Sequence, residues 1–176
     1  MTIKVGIIGA SFAKAAYLPA LRTIDDVEVV AIASARMSSA QSTADAFDIP
    51  NVYDDWQKML DSHEFDLVGV ATPVVHHAPM VLAALEAGAH VLCEKPFAMN
   101  AAETQQMLEK ADALGRIHIM GHELRFNPTR RKVRDLIAEG AIGKVRHVNI
   151  LNVSASYGDP ASRVENDWWG LAEMGG

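Results

Sequence analysis

The chain has 176 residues, of which 49% are hydrophobic and 22% charged, and a formal net charge of −6. That is the composition of an ordinary globular protein, long enough for one well-cored domain and the start of another. The negative balance speaks against a general nucleic-acid binder, which carries a basic face, and a single cysteine excludes an internal disulfide. The apolar runs are short and broken by charge, so no membrane span is expected. Met1-Thr2-Ile3-Lys4 leads straight into a strand rather than a signal peptide, and the expected location is the cytoplasm.

In chain order, Ile3 to Gly9 is a short apolar run ending in glycine, consistent with a buried strand. A helix is expected from about Phe12 to Ile24, and a second β-branched strand over Val27 to Ser34. Ser38 or Ser39 is the candidate cap of a helix through Phe47, and Asp54 that of another through Leu60. Asp66 to Thr72 is the next strand, stopped by Pro73, and His76 to Ala87 a helix that Gly88 can end in the left-handed conformation. A strand at Val91-Leu92-Cys93, a helix over Ala101 to Leu114 and a strand over Ile117 to Met120 follow. Strands alternating with helices give a parallel sheet through right-handed crossovers. The predicted class is therefore α/β, a Rossmann-type doubly wound sheet over 1–121.

After Gly121 the pattern changes. Thr129 to Glu139 reads as a helix, Gly140 to Lys144 as a turn and Val145 to Val153 as a strand, while Ser154 to Gly176 holds no clear element. A lone strand cannot bury itself. Residues 122–176 are therefore expected to be a linker helix and the incomplete beginning of a second α/β domain.

Five constellations carry chemistry. Gly9-Ala10-Ser11-Phe12-Ala13-Lys14 sits where a G-x-G-x-x-G fingerprint would sit, but with Ser11 and Lys14 at two of the glycine positions. The helix it opens still offers free N–H groups and a positive dipole end to a phosphate. At the end of the second strand Ser34 and Arg36 stand where an acid would bind the ribose of NAD. A guanidinium there suits a 2′-phosphate and favours NADP over NAD. Thr72-Pro73 and His76-His77 place a turn at another strand end, with one histidine expected to line the cleft and the other solvated. Adjacent histidines do not converge on one metal from a helix, and no carboxylate or cysteine stands at ligand spacing, so no metal is expected. Glu94-Lys95-Pro96 ends the Val91 strand, and proline holds Lys95 extended at the carboxyl end of a strand, where open α/β sheets bind ligands. Arg125 and Asn127 lie at the cleft edge after the last strand, Asn127 serving also as a cap with Pro128 the first helical residue. Cys93 is read as core.

These residues resemble the glucose–fructose oxidoreductase / inositol dehydrogenase / MocA family of NAD(P)-dependent oxidoreductases. The resemblance runs through Val5-Gly6-Ile7-Ile8-Gly9, Leu18-Pro19-Ala20-Leu21, Ala71-Thr72-Pro73 with His77, Leu85 to Pro96, Arg125-Phe126-Asn127-Pro128 and Gly140 to Val145. It implies an N-terminal Rossmann domain and a C-terminal α/β domain with a large open sheet. The implied activity is hydride transfer to or from a hydroxyl or carbonyl carbon of a sugar, cyclitol or related diol. It implies Lys95 as the catalytic lysine, near the nicotinamide ribose and the reacting oxygen, where it suits proton transfer or polarisation. Gly9, Ala10, Ser11, Phe12, Ala13, Ser34, Arg36, Thr72, Pro73, His77, Glu94 and Lys95 are the expected cofactor contacts, and Arg125 and Asn127 the substrate contacts.

No nucleic-acid or membrane partner is expected, and the C-terminal sheet implies a homo-oligomer. Members continue beyond a pair like Gly175-Gly176 to a catalytic histidine, so the 176 residues alone are expected to bind cofactor and turn over poorly. A non-catalytic nucleotide-binding or sensor protein is the alternative. Lys95-Pro96 and the absence of an acid after the second strand count against a methyltransferase.

Overall fold

A computed structural model describes residues 2–153 and 170–175. Six strands, β1 (Ile3–Ile8), β2 (Val27–Ala33), β3 (Asn51–Tyr53), β4 (Leu67–Val70), β5 (His90–Cys93) and β6 (His118–Met120), form one sheet in the order β3-β2-β1-β4-β5-β6. Every neighbouring pair is parallel, and Ile3 is in register with Val27 and Val5 with Leu67. This is the doubly wound order expected from the alternation of strands and helices. Because side chains alternate along a strand, one sheet feeds two cores. Val5 and Ile7 pack with Ala13, Leu18, Ile32 and Ala44 on one face. Ile8 packs with Val68, Val70, Val81, Leu85 and Met107 on the other.

The helices follow local chemistry. Helix Ala101–Leu114 is capped by Asn100, whose side chain accepts the Glu103 N–H at 2.9 Å, and ends on Gly115 at φ 61°. Gly88, at φ 89°, follows helix His77–Glu86 as the sequence implies.

Several boundaries differ from the reading of the sequence. The first helix is an α turn Ala10–Phe12, a π turn Ala13–Tyr17 and an α turn Leu18–Leu21, ending before Ile24. Helix Met37–Phe47 starts from Arg36 with no side-chain cap bond, so neither Ser38 nor Ser39 is its cap. Asp55, not Asp54, caps helix Trp56–Ser62, accepting the Gln57 and Lys58 N–H groups. Edge strand β3 went unforeseen because three residues carry no readable period.

Helix Pro128–Ala138 starts on Pro128 after its Asn127 cap, as expected. Residues 145–153 are not a strand. They join no ladder, and Ile150 is 83% exposed; alternation alone does not supply the pairing that makes a strand. The segment 154–169 lies outside the described residues.

Leu85 has no exposed surface. Leu85→Ala should lower unfolding free energy by about 2–5 kcal/mol, whereas Ile150→Ala should change it by about 0.5 kcal/mol or less. Urea titration of both variants checks the contrast.

Candidate functional site

The chain leaves β1 and β4 toward opposite sides of the sheet, which opens a crevice at their carboxyl ends. Gly9 stands at its floor with φ 104°, and a Cβ there would run into the Ala71 carbonyl oxygen and lie 3.1 Å from Thr72 N. The Gly9 N–H donates to Ala33 O at 2.8 Å, and the Ala71 N–H to Ile8 O at 2.8 Å. Helix Ala10–Phe12 starts here with no side-chain cap, leaving its leading N–H groups for a ligand or water. Ser11 is exposed on the rim, and Phe12 is half-buried, edge-on to Tyr17 at 5.7 Å. Ala13, expected as a cofactor contact, has no exposed surface. It supplies the close helix–sheet packing that the fingerprint assigns to its last glycine, and Lys14 is left exposed.

Ser34 leaves β2 half-buried, its N–H donating to Tyr53 O at 3.1 Å, and Arg36 is exposed beyond it with no ion pair among the described residues. Thr72 and Pro73 are half-buried at the end of β4. His76 is exposed, but His77, the histidine expected in the cleft, has no exposed surface. Its ring nitrogens lie 2.8 Å from Thr72 O and 3.0 Å from Pro96 O. The ring therefore couples two strand-end loops.

Glu94 is also bonded within the chain. It is 7% exposed, and its carboxylate accepts the Tyr17 hydroxyl at 2.7 Å and the Lys95 N–H at 3.3 Å. Gly121 makes room for it, since a Cβ there would sit 2.6 Å from a Glu94 carboxylate oxygen. Glu94 thus braces the loop from within. Lys95 itself is half-buried, and its peptide bond to Pro96 is cis. With Glu123, Arg125, Arg130, Arg131 and Arg134 it lines a cavity of about 690 Å³. Asn127 does not line this cavity; its side chain accepts the Arg130 N–H at 3.2 Å as the helix cap. Among the described residues no group of three or more His, Cys, Asp and Glu side chains is placed to hold a metal ion.

Tyr17 went unnoticed in the sequence. Its only local signal is a large polar-tipped ring in an alanine-rich helix, whose partner lies 77 residues away. Burial first, then the hydrogen bond and charge of Glu94, push its phenol far above the ordinary value of 10.0. Burial, then Glu94, likewise raises the Cys93 thiol above its ordinary 9.0.

Gly9→Ala combines a left-handed backbone with the overlap at Ala71, and should cost about 1–3 kcal/mol by urea titration. Tyr17→Phe leaves the buried Glu94 carboxylate short of a donor, at a similar cost of about 1–3 kcal/mol. Both Cys93 and Tyr17 are held protonated by the fold, so their contribution is intact below their ordinary values, 9.0 and 10.0, and is lost as pH rises past them. Melting curves from pH 8 to 11 should therefore fall on the alkaline side, and fall less steeply above about pH 10 in Tyr17→Phe.

Known proteins agree with this geometry. Residues 3–122 match the model of an oxidoreductase family with an NAD-binding Rossmann fold. The D-glucoside 3-dehydrogenase of Escherichia coli is 35% identical over 144 residues, covering 81% of this chain and 41% of that protein. The trans-1,2-dihydrobenzene-1,2-diol dehydrogenase of Bos taurus is 30% identical over 180 residues, covering 100% of this chain and 51% of its own length. The chain thus spans about half the length of the curated relatives it matches.

Among solved structures, KijD10, a 3-ketoreductase from Actinomadura kijaniata in complex with TDP-benzene and NADP, superposes with a TM-score of 0.77 at 34% identity. The match covers 83% of this chain and 46% of that one. A scyllo-inositol dehydrogenase from Lactobacillus casei with bound NAD(H) and scyllo-inositol, 23% identical with a TM-score of 0.76, shares the fold. A six-stranded parallel sheet with a side-chain-free cradle at its first turn, matched to the family over 120 of 176 residues (3 to 122), is an NAD(P)-binding Rossmann domain, and the chain belongs to the Gfo/Idh/MocA oxidoreductase family.

Proposed function

We propose that this chain is the cofactor-binding part of an NAD(P)-dependent oxidoreductase acting on a hydroxyl- or carbonyl-bearing carbon of a sugar, cyclitol or related diol, with NADP(H) the preferred cofactor. The observation that carries the proposal is Lys95, a half-buried lysine at the carboxyl end of β5 opening into the 690 Å³ cavity. The D-glucoside and dihydrobenzenediol dehydrogenases among the relatives support the substrate class.

The residues fit a dinucleotide. The cradle at Gly9 is one that a single Cβ would fill, and the uncapped helix start beside it suits a pyrophosphate held by the backbone of Gly9, Ala10 and Ser11. Ser34 and Arg36 suit the 2′-phosphate of NADP. Thr72 and Pro73 line the side of the crevice where the ring end of the cofactor would lie.

The nicotinamide, when bound, supplies the hydride acceptor or donor. The chain's own part is to hold the substrate oxygen and manage its proton. The Lys95 ammonium donates a hydrogen bond to that oxygen and exchanges the proton with it. Its backbone is held by the Glu94 carboxylate, so the ammonium swings from a fixed point. Arg125, in the same cavity, donates to a second substrate oxygen.

Residues 122–176 belong to the second, substrate-bearing unit. Val133, Leu136 and Ile137 on helix Pro128–Ala138, together with Ile150 and Leu151, offer that unit exposed apolar surface, and its sheet is where copies of the chain would pair. No helix among the described residues is long and apolar enough to cross a membrane.

Titration calorimetry should give tighter binding of NADP(H) than NAD(H). Loss of a charge-assisted contact in Arg36→Ala should reduce that preference by about 10-fold or more; equal affinities in the unsubstituted chain would remove the preference for NADP. In the enzyme that turns over, Lys95→Ala should lower kcat by about 10²–10⁴-fold on a panel of cyclitols and aldoses while leaving the cofactor Kd unchanged. Unchanged turnover would sink the assignment of Lys95.

A further inference from the structure

The cavity of about 690 Å³ beside Lys95 is lined by four guanidiniums, those of Arg125, Arg130, Arg131 and Arg134, and by a single carboxylate, that of Glu123. This concentration of cations stands on a chain whose formal net charge is −6. It is not neutralised from within. Arg134 pairs with Asp135 at 2.7 Å. The side chains of Arg125, Arg130 and Arg131 make no hydrogen bond or ion pair among the described residues. The helix does not gain from them either. Arg130 and Arg131 lie in the first turn of helix Pro128–Ala138, which holds no acidic residue, so they meet the positive end of its dipole. Arg130 and Arg134, four residues apart, repel each other. At about 100° per residue, Arg130, Arg131 and Arg134 fall within one arc of about 100°, and Lys132, outside that arc, does not line the cavity. A helix that bears this cost and turns it toward a cavity is matched to an anion that enters from outside the chain.

The anion is not one of the cofactor's own. The turn proposed to hold the pyrophosphate follows β1, and Ser34 and Arg36 follow β2, whereas the cavity lies beyond the ends of β5 and β6, on the other side of β4. The donors point to its kind. One guanidinium satisfies a carboxylate with two parallel hydrogen bonds. Two neighbouring guanidiniums without partners provide for a group with more oxygens and more than one charge, a phosphoryl group. The volume is that of pockets which enclose a whole small-molecule ligand. We infer that Arg130 and Arg131 hold a phosphoryl group of the substrate, leaving Lys95 and Arg125 to its reacting end, so that the sugar or cyclitol is a phosphorylated one and these two arginines decide its selection. The inference rests on the reading that Lys95 faces the substrate. A phosphoryl group anchored away from the reacting carbon supplies binding energy that orients that carbon, and a cationic cavity on an acidic chain draws anions toward it.

The test is titration calorimetry of the 176-residue chain with glucose, glucuronate, glucose 1-phosphate and UDP-glucose. The variants are Arg131→Gln, the double variant Arg130→Gln/Arg131→Gln, and Lys132→Gln, which removes one charge from the same helix outside the cavity. Both arginines are exposed, so the fold should tolerate their loss. An unchanged or raised thermal midpoint verifies this, and Arg131→Lys, which keeps the charge and loses the fork, is the second variant. A phosphorylated sugar should bind about 10-fold or more tighter than glucose or glucuronate, and the double variant should lose that preference, while Lys132→Gln stays within about 2-fold. Added salt should weaken the phosphorylated sugar and not glucose. Whichever of glucose 1-phosphate and UDP-glucose binds tighter through the arginines tells a terminal phosphate from a diphosphate linkage. Glucuronate bound as tightly as the phosphorylated sugars would overturn the phosphoryl assignment. Phosphate binding that survives in the double variant, or no such binding at all, would overturn the inference. If the enzyme that turns over uses glucose no worse than its phosphorylated forms, the inference falls and the oxidoreductase reading stands. If the arginine-dependent preference holds while Lys95→Ala leaves turnover unchanged, the reading of Lys95 falls and the phosphoryl site stands.

Discussion

The backbone of Gly9 passes so close to the Ala71 carbonyl that no side chain fits between them. Everything else about the crevice depends on that approach. It keeps the turn after β1 and the exit of β4 in contact at the point where the chain departs to opposite sides of the sheet. It also brings the start of the first helix to the floor of the crevice, where its unpaired N–H groups are useful. The two hydrogen bonds that flank it, Gly9 to Ala33 and Ala71 to Ile8, carry the ladder to the strand ends without slack. A backbone that any residue could adopt would not make this contact. The positive φ of Gly9 and the close packing are one requirement met by one residue.

A second layer of contacts converts this floor into a site. The backbone of Lys95 is fixed from beneath. Its supports are neighbours that the sequence presents as ligand contacts. Glu94 joins Tyr17, on the first helix, to the Lys95 backbone, and Gly121 at the end of β6 closes against the same carboxylate. His77 spans Thr72 and Pro96. The ends of β4, β5 and β6 and the first helix are thereby cross-linked by buried polar groups. Such networks are costly when half-satisfied and rigid when complete. Rigidity here is useful, because a group that exchanges a proton with a substrate oxygen must stand within a fraction of an ångström of its place.

The fold was legible because its signals are repeated and local. Six strands alternate with helices, and each β-branched run announces itself, apart from the three residues of β3, too few to show a period. Gly9, Gly88, Asn127 and Pro128 were readable because each is selected by the backbone it must adopt. The site was legible at the level of position and less so at the level of role. The motif residues do converge on the carboxyl ends of the strands, but sequence cannot tell a side chain that faces a ligand from one that faces a carbonyl beneath it. Ala13, His77 and Glu94 were read as ligand contacts with no sign of the packing and hydrogen bonds they make within the chain, and Tyr17 was overlooked because its partner is distant in sequence. Residues 145–153 failed for another reason: a strand is a property of a pair, and the pattern of one segment says nothing about its partner.

The π turn Ala13–Tyr17 has a consequence for the chain's tolerance of length changes. Leu18 N–H reaches back five residues to Ala13 O, and Pro19, which has no N–H to offer, follows at once. An α-helix advances about 100° per residue, and a π turn accommodates one residue more than an α turn would. Removing a single residue between Ala13 and Tyr17 would give a locally better helix. It would also rotate one end by about 100° against the other. Either the start of the helix would leave the crevice or the ring of Tyr17 would leave Glu94. The number of residues between Gly9 and Tyr17 is therefore constrained as firmly as the identity of either, and a deletion that looks conservative on paper would uncouple the crevice floor from the support beneath Lys95.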